Sequence, residues 1–235
     1  MKYVSLPDER ERHLSFFLAM EEYVARQCQE RDLFFLWQVR PSVIFGRNQS
    51  VEQEVNEAYC RANGIEMYRR KSGGGCVYAD WGNIMLSYIS GDEQVNQAFY
   101  TFINMVLLVL RKLGVEAVST QHNDVLINGR KVSGTACYHL NGRNVVHATL
   151  LYDTQMEHML QAITPTKEKL QSKGIASVRQ RITLLKDYIF LTEEELKTFI
   201  RQALCQGEYK LTSADVTAIE ALEQSYLENE FIHAL

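Results

Sequence analysis

Residues Asp124–Tyr152 read DVLINGRKVSGTACYHLNGRNVVHATLLY, with Asn-Gly pairs at Asn128-Gly129 and Asn141-Gly142. Both central positions of a two-residue hairpin turn need positive φ, which Asn and Gly adopt most readily. Asn-Gly between strand-forming residues is therefore the strongest short hairpin signal. Two such pairs in series predict three antiparallel strands. This is not the strand–helix–strand alternation of a doubly wound parallel sheet.

Upstream, Asp8 is placed to cap a first helix running to about Cys28, with Leu14, Phe17, Leu18 and Val24 on one face. Leu33–Val39 is short, apolar and aromatic and precedes Pro41, so it reads as a buried strand, and Val43–Phe45 before Gly46 reads as another. Val55–Asn63 is helix-like, with Gly64 suited to its C-terminal stop. Ile65–Arg70 is a strand feeding the loop SGGG, Asn83–Ser90 a second strand of that layer, and Glu93–Leu113 a long apolar helix ending at Gly114. Downstream, Gln155–Ile163 is a helix stopping near Pro165. Thr192 and Glu195 form a capping box for a helix to about Cys205, and Ser213 can cap a last one to about Leu227. The order predicts an α+β fold, a largely antiparallel sheet with helices packed on it, in one domain (1–235) whose part 187–235 is helical.

Composition narrows the function classes. The 235 residues are 46% hydrophobic and 23% charged, which excludes a mainly disordered chain. A formal net charge of −4 disfavours a protein that coats nucleic acid by charge alone. No apolar stretch approaches the about 20 residues a spanning helix needs, and MKYVSLPDERERH lacks the apolar region of a secretory signal. Five cysteines (Cys28, Cys60, Cys76, Cys137, Cys205) without a CxxC spacing fit free thiols in a reducing cytosol. No ligand spacing joins them to His122, His139 or His147 in a zinc site. The expectation is a cytoplasmic protein that engages neither membrane nor nucleic acid.

Three segments carry candidate chemistry. In Lys71-Ser72-Gly73-Gly74-Gly75-Cys76-Val77-Tyr78, three glycines remove every Cβ, so a ligand can approach the amides, and successive N–H groups can cradle phosphate or carboxylate. Arg69, Arg70 and Lys71 supply three cations beside it. The loop is neither a Walker A sequence nor GxGxxG, and a plain surface turn is the competing reading. In Gly129–Ala136, Lys131 follows a hairpin turn and precedes small residues, so it can reach into a pocket. A solvated lysine on a hairpin face is the alternative. Asp124 can pair with Lys131 or help hold a cation. Ser172–Arg179 (SKGIASVR) by itself suggests only a basic turn.

Together these segments resemble the lipoate–protein ligase A family, within the biotin/lipoate ligase superfamily. The matching stretches are VIFGRNQS (Val43–Ser50), RRKSGGGCVYADWGN (Arg69–Asn83), NDVLINGRKVSGTA (Asn123–Ala136), HATLLYD (His147–Asp153) and SKGIASVRQRITLL (Ser172–Leu185), in the family's order. The resemblance implies the biotin/lipoate ligase catalytic-domain fold, like class II aminoacyl-tRNA synthetases, with a central mixed, mainly antiparallel sheet flanked by helices. It implies a two-step reaction: lipoate and MgATP give lipoyl-AMP and pyrophosphate, then a lysine of a lipoyl domain takes the lipoyl group and AMP leaves. Lys131 matches the family's central catalytic lysine, and Arg70 a nucleotide-contacting arginine. Gly73, Gly74, Gly75, Cys76, Val77 and Tyr78 match the adenylate-binding loop. Asn83, Asn123 and Asp124 fall in neighbouring motif positions, His147 and Gly134 are candidates for the lipoate pocket, and Asp124 is a candidate ligand for Mg2+. The implied partners are lipoyl-domain acceptors, namely 2-oxoacid dehydrogenase E2 subunits and the glycine cleavage H protein.

Some features depart from that pattern. Ala79 stands where the family usually has His, and Ala148 where it usually has Gly. The chain reads as a short form without the small accessory domain of larger members, so it adenylates alone, works with a separate accessory chain, or transfers an already activated acyl group. An ATP-independent octanoyl or lipoyl transferase of this branch uses a cysteine shortly before the lysine motif, where this chain has Ser119-Thr120-Gln121-His122. That favours the ligase over the transferase. A non-catalytic lipoate-binding module and a biotin ligase are the remaining alternatives.

Overall fold

The computed structural model describes residues 1–92, 94–164 and 181–233. Its spine is an eight-stranded mixed sheet of order β11-β1-β2-β6-β10-β9-β8-β7. The strands are β1 (Lys2–Ser5), β2 (Leu33–Trp37), β6 (Asn83–Ser90), β7 (Val118–Ser119), β8 (Asp124–Ile127), β9 (Arg130–Leu140), β10 (Arg143–Leu151) and β11 (Glu208–Lys210). The two Asn-Gly turns connect β8, β9 and β10 as expected, with φ of 49° and 50° at Asn128 and Asn141 and 74° at both glycines. A second sheet, β4-β3-β5, is built from β3 (Ser42–Phe45), β4 (Glu66–Arg69) and β5 (Val77–Ala79).

The sheet separates two apolar cores. On one face lies α1 (Leu14–Gln27), packed against α7 (Ser213–Leu227). Leu14, Phe16, Leu18, Met20 and Val24 of α1 are buried there with Val216, Ile219 and Tyr226 of α7. On the other face α4 (Val95–Lys112) buries Phe102, Val106 and Leu110 beside Leu196 and Ile200 of α6 (Glu193–Leu204). A third cluster surrounds the small sheet, with α2 (Val51–Glu54), α3 (Glu57–Ala62) and α5 (Met156–Ala162) close by. The helix α8 (Asn229–Ile232) ends the described chain.

Several local expectations change. Asp8 does not cap α1, which begins after His13, because its carboxylate is engaged by Arg10 and by Arg12 at 2.9 Å. Val55–Asn63 is not one helix: Val55 pairs with Ile163, and Asn56 caps α3 by accepting from the Tyr59 amide. Asn83–Ser90 lies in the large sheet, not in the layer of β4, because its eight residues are buried between β2 and β10. The Thr192–Glu195 capping box forms, but the last long helix is capped by Thr212 with Asp215 rather than by Ser213. The part from 187 onward is not purely helical, since β11 joins the sheet edge parallel to β1. The Ser172–Arg179 segment and Pro165 lie outside the described residues.

Candidate active site

Strand register assembles the site. Trp37 pairs with Met85, Met85 with Thr149, Thr149 with Gly134 and Gly134 with Asp124, so one row crosses five strands from β2 to β8. Side chains two apart on a strand share a face, so Ser87, His147 and Ala136, two residues along in the same register, stand on that face too. Four inter-strand steps of about 4.8 Å make the row roughly 19 Å long. It is apolar at Trp37 and Met85 and charged at Asp124.

Above this row lies a cavity of about 350 Å³. Leu18, Ile44 and Val77 complete its apolar wall, and Lys131, Asp124 and Arg181 form its charged end with His122 beside them. The Lys131 Nζ lies 2.7 Å from Asp124 Oδ1, and Arg181 Nη2 lies 2.8 Å from Asp124 Oδ2. One carboxylate thus ties two cations together. Gly134 makes room for this arrangement, because a Cβ there would meet the Cε and Nζ of Lys131.

The glycine loop forms another wall, and Arg70 shapes it. The buried guanidinium donates to the carbonyls of Ile44 (3.1 Å), Gly73 (2.7 Å) and Gly75 (2.7 Å) and to Ser72 Oγ (2.9 Å). Burial lowers Arg70 to about 10, so it stays a cation at neutral pH. Arg70 thereby draws the Gly73 and Gly75 carbonyls of the loop inward. Among the described residues no backbone hydrogen bond is donated by the amides of Gly73, Gly74, Gly75 or Cys76. Gly46 lets the loop lie close, because a Cβ there would run into the Gly74 carbonyl.

A buried relay fixes the loop from below. His147 Nδ1 faces the Glu21 carboxylate at 2.9 Å, and its Nε2 lies 2.7 Å from Ser72 Oγ. Glu21 also accepts from Ser87 Oγ (2.5 Å), which in turn accepts from Trp37 Nε1 (2.8 Å). With Nδ1–H donating to the carboxylate, Nε2 accepts from Ser72. These spacings resemble those of a Ser-His-acid triad. Yet Ser72 is fully buried, does not line the cavity, and holds Arg70 Nε, so it braces the loop.

The structure brings Arg70, Gly74, Gly75, Cys76, Val77, Asp124, Lys131, Gly134 and His147 to this one cavity. Gly73, Tyr78, Asn83 and Asn123 are not among its lining residues. The Tyr78 ring is buried beside His158, the Asn83 amide donates to the Tyr78 carbonyl, and the Asn123 carbonyl accepts from Thr135. Ala148 reaches the cavity, whereas Ala79 is buried in the core. Sequence reasoning did not identify Arg181, His122, Thr149 or the apolar wall. Arg181 carried one available signal, its place in the stretch Ser172–Leu185. Burial pushes the thiols of Cys76 and Cys137 up to about 12.

Comparison with known proteins agrees with this geometry. The model of the lipoyl protein ligase A/B catalytic domain matches residues 14–205. The lipoate-protein ligase LplJ of Bacillus subtilis is 35% identical over 223 residues, covering 90% of this chain and 67% of that protein. Lipoate–protein ligase 1 of Staphylococcus aureus is 36% identical over 230 residues, covering 94% and 70% respectively. A bipartite lipoate protein ligase from Thermoplasma acidophilum, solved in a study that includes its E2 lipoyl domain, superposes with a TM-score of 0.86 at 26% identity. The alignment covers 100% of this chain and 96% of that one. A lipoate-protein ligase A bound with ATP shares the fold, with a TM-score of 0.81 at 23% identity and coverage of 100% and 98%. A catalytic-domain match over most of the chain, together with relatives above one-third identity, establishes that this chain belongs to the lipoyl protein ligase A/B catalytic-domain family.

Proposed function

We propose that the chain is an ATP-dependent lipoate–protein ligase, with residues 1–235 acting as one catalytic unit. The observation that carries this reading is the polarity of the single row across the sheet. It runs from an apolar wall at Trp37 and Met85 to Asp124, with Lys131 over Gly134 and the glycine loop as a facing wall. That gradient suits an acyl chain ending in a carboxylate, with a nucleotide phosphate beyond it.

In the first step a lipoate carboxylate oxygen forms a bond to the α-phosphorus of ATP. The bond from that phosphorus to its bridging oxygen breaks, and pyrophosphate leaves with the electron pair. Two anions must approach, so fixed cations and amide dipoles carry the catalysis. Lys131 neutralises charge at the carboxylate and α-phosphate, and the amides of Gly74, Gly75 and Cys76 line the adenylate. Arg70 acts on the nucleotide through the loop it shapes. In the second step an acceptor lysine amine attacks the acyl carbon, AMP departs with the C–O electron pair, and the amine proton goes to solvent.

Asp124 would be the residue to hold a nucleotide-borne magnesium ion, which would supply charge neutralisation at the phosphates. Both Asp124 oxygens are already engaged, and among the described residues no three metal-binding side chains cluster. A lone carboxylate beside phosphates suits a magnesium already coordinated by a nucleotide. The acceptors are lipoyl-domain proteins, of the E2 or H-protein type expected from sequence. The five cysteines are unpaired, in keeping with a cytoplasmic setting. Among the described residues no helix is long and apolar enough to cross a membrane. Thiols raised to about 12 hold little thiolate at neutral pH, which speaks against a cysteine-dependent transferase.

The test incubates the protein with lipoate, MgATP and an isolated lipoyl domain and weighs the acceptor by mass spectrometry. One arm omits ATP and supplies an acylated donor protein, and another adds a separate accessory chain. Lipoylation that requires ATP, and is lost in Lys131→Ala, is the expected result. Transfer from the acylated donor without ATP would replace the ligase reading with the transferase.

A further inference from the structure

The charged end of the cavity holds a second cation that the family resemblance did not assign. We propose that Arg181 is a further catalytic residue, which leaves Asp124 when nucleotide binds and stabilises the departing pyrophosphate. This rests on the ligase reading above.

Position comes first. Along the row, the apolar wall is followed by Lys131 over Gly134, then Asp124, then Arg181 on the far carboxylate oxygen. In phosphoryl transfer the attacking and leaving oxygens lie roughly in line through phosphorus. If the acyl carboxylate approaches from the apolar side and meets Lys131, the leaving group departs towards Arg181.

Charge points the same way. Lys131 and Arg181 are two cations held on the two oxygens of one carboxylate, so a phosphate group arriving at this end of the cavity meets both. Arg70 cannot fill the role directly, because four of its five N–H groups are spent on Ile44, Ser72, Gly73 and Gly75. The Arg181 side chain is 30% exposed, so it can turn from Asp124 to a ligand. Its planar fork matches phosphate oxygens in a way a lysine ammonium does not. The backbone beside it is anchored: Ile182 bridges to Lys131, and the Thr183 amide donates to the Lys131 carbonyl at 2.9 Å. The two cations are thereby held in fixed register.

The experiment separates the half-reactions. Arg181→Gln removes the charge and leaves a shorter polar side chain, and Arg181→Lys keeps the charge without the fork. Adenylation is measured as lipoyl-AMP and pyrophosphate formation from lipoate and MgATP. Transfer is measured from presynthesised lipoyl-AMP to a lipoyl domain, where no pyrophosphate leaves. Arg181→Gln should lose about 10²-fold or more in adenylation, with the loss in transfer held to about threefold and partial recovery in Arg181→Lys. Equal losses in both half-reactions, or an unchanged adenylation rate, would overturn the proposal. Wild-type protein that forms no lipoyl-AMP, alone or with an accessory chain, would end the ligase reading and this inference together. An active wild type with an indifferent Arg181→Gln ends the inference alone.

Discussion

Replacing Gly134 by alanine should silence the enzyme while leaving its fold intact. Gly134 sits in β9 without a positive φ, so the backbone accepts alanine without strain. The added Cβ would stand 2.6 Å from Lys131 Cε, press on its Nζ, and lie 3.5 Å from Asp124 Oδ1. Carbon–carbon contact is comfortable at about 3.5–4.0 Å, so the end of Lys131 must withdraw by about 1 Å. Because it is the tip of a flexible chain, the fold loses little. The partly exposed ion pair with Asp124 is worth about 0–1 kcal/mol. Removing glycine's freedom in the unfolded chain returns about 0.4–1 kcal/mol. Net stability should stay within about 1 kcal/mol, a melting shift of roughly 4 °C or less. Catalysis is less tolerant, since a 1 Å displacement can cost about 10²-fold. The assay pairs lipoyl-AMP formation with a thermal melt. Turnover within about twofold of wild type would refute the placement of Lys131, and a collapsed melting temperature would refute the claim that only its tip is displaced.

Arg70→Ala should lower stability by about 2 kcal/mol or more, because it strips donors from the buried Ser72 hydroxyl and Ile44 carbonyl and from the loop carbonyls of Gly73 and Gly75. Arg70→Lys should recover little of it, since one ammonium cannot span those acceptors. Denaturant midpoints decide both, and a wild-type midpoint in the alanine variant would contradict the loop's dependence on Arg70. Cys76→Ser and Cys137→Ser should each retain ligation, because burial holds both thiols up at about 12. An acyl-thioester trapped on either would contradict this. Burial alone would raise the Glu22 carboxyl, but Lys71, Tyr226 and Arg26 together hold it below its ordinary 4.5. Its stabilising contribution is therefore present above 4.5 and lost as pH falls from there through the lower folded value. Glu22→Gln should flatten the acid limb of the stability curve in that window, and an unchanged limb would remove Glu22 from it.

What the sequence alone determined is local. Asn128-Gly129 and Asn141-Gly142 specify their turns because only such residues adopt positive φ without strain, and those turns set three neighbouring strands. Gly73–Gly75 exposes backbone wherever the chain places it, and Thr192 with Glu195 closes a helix end within four residues. Lys131 and the glycine loop were legible as candidates through motifs in order, and the fold brings Lys131 and Gly74–Val77 to one cavity. The tertiary structure decided what those residues face. Arg70 is directed at carbonyls, not at open cavity, because β3 and the loop converge on it. His147 meets Glu21, 126 positions away in the chain, and Arg181 meets Asp124 across 57. Asp8 was a plausible cap until Arg10 and Arg12 claimed its carboxylate. Dihedral preferences act within a few residues and can be read along the chain. Partnerships of buried charge depend on which strands become neighbours, and only the folded sheet settles that.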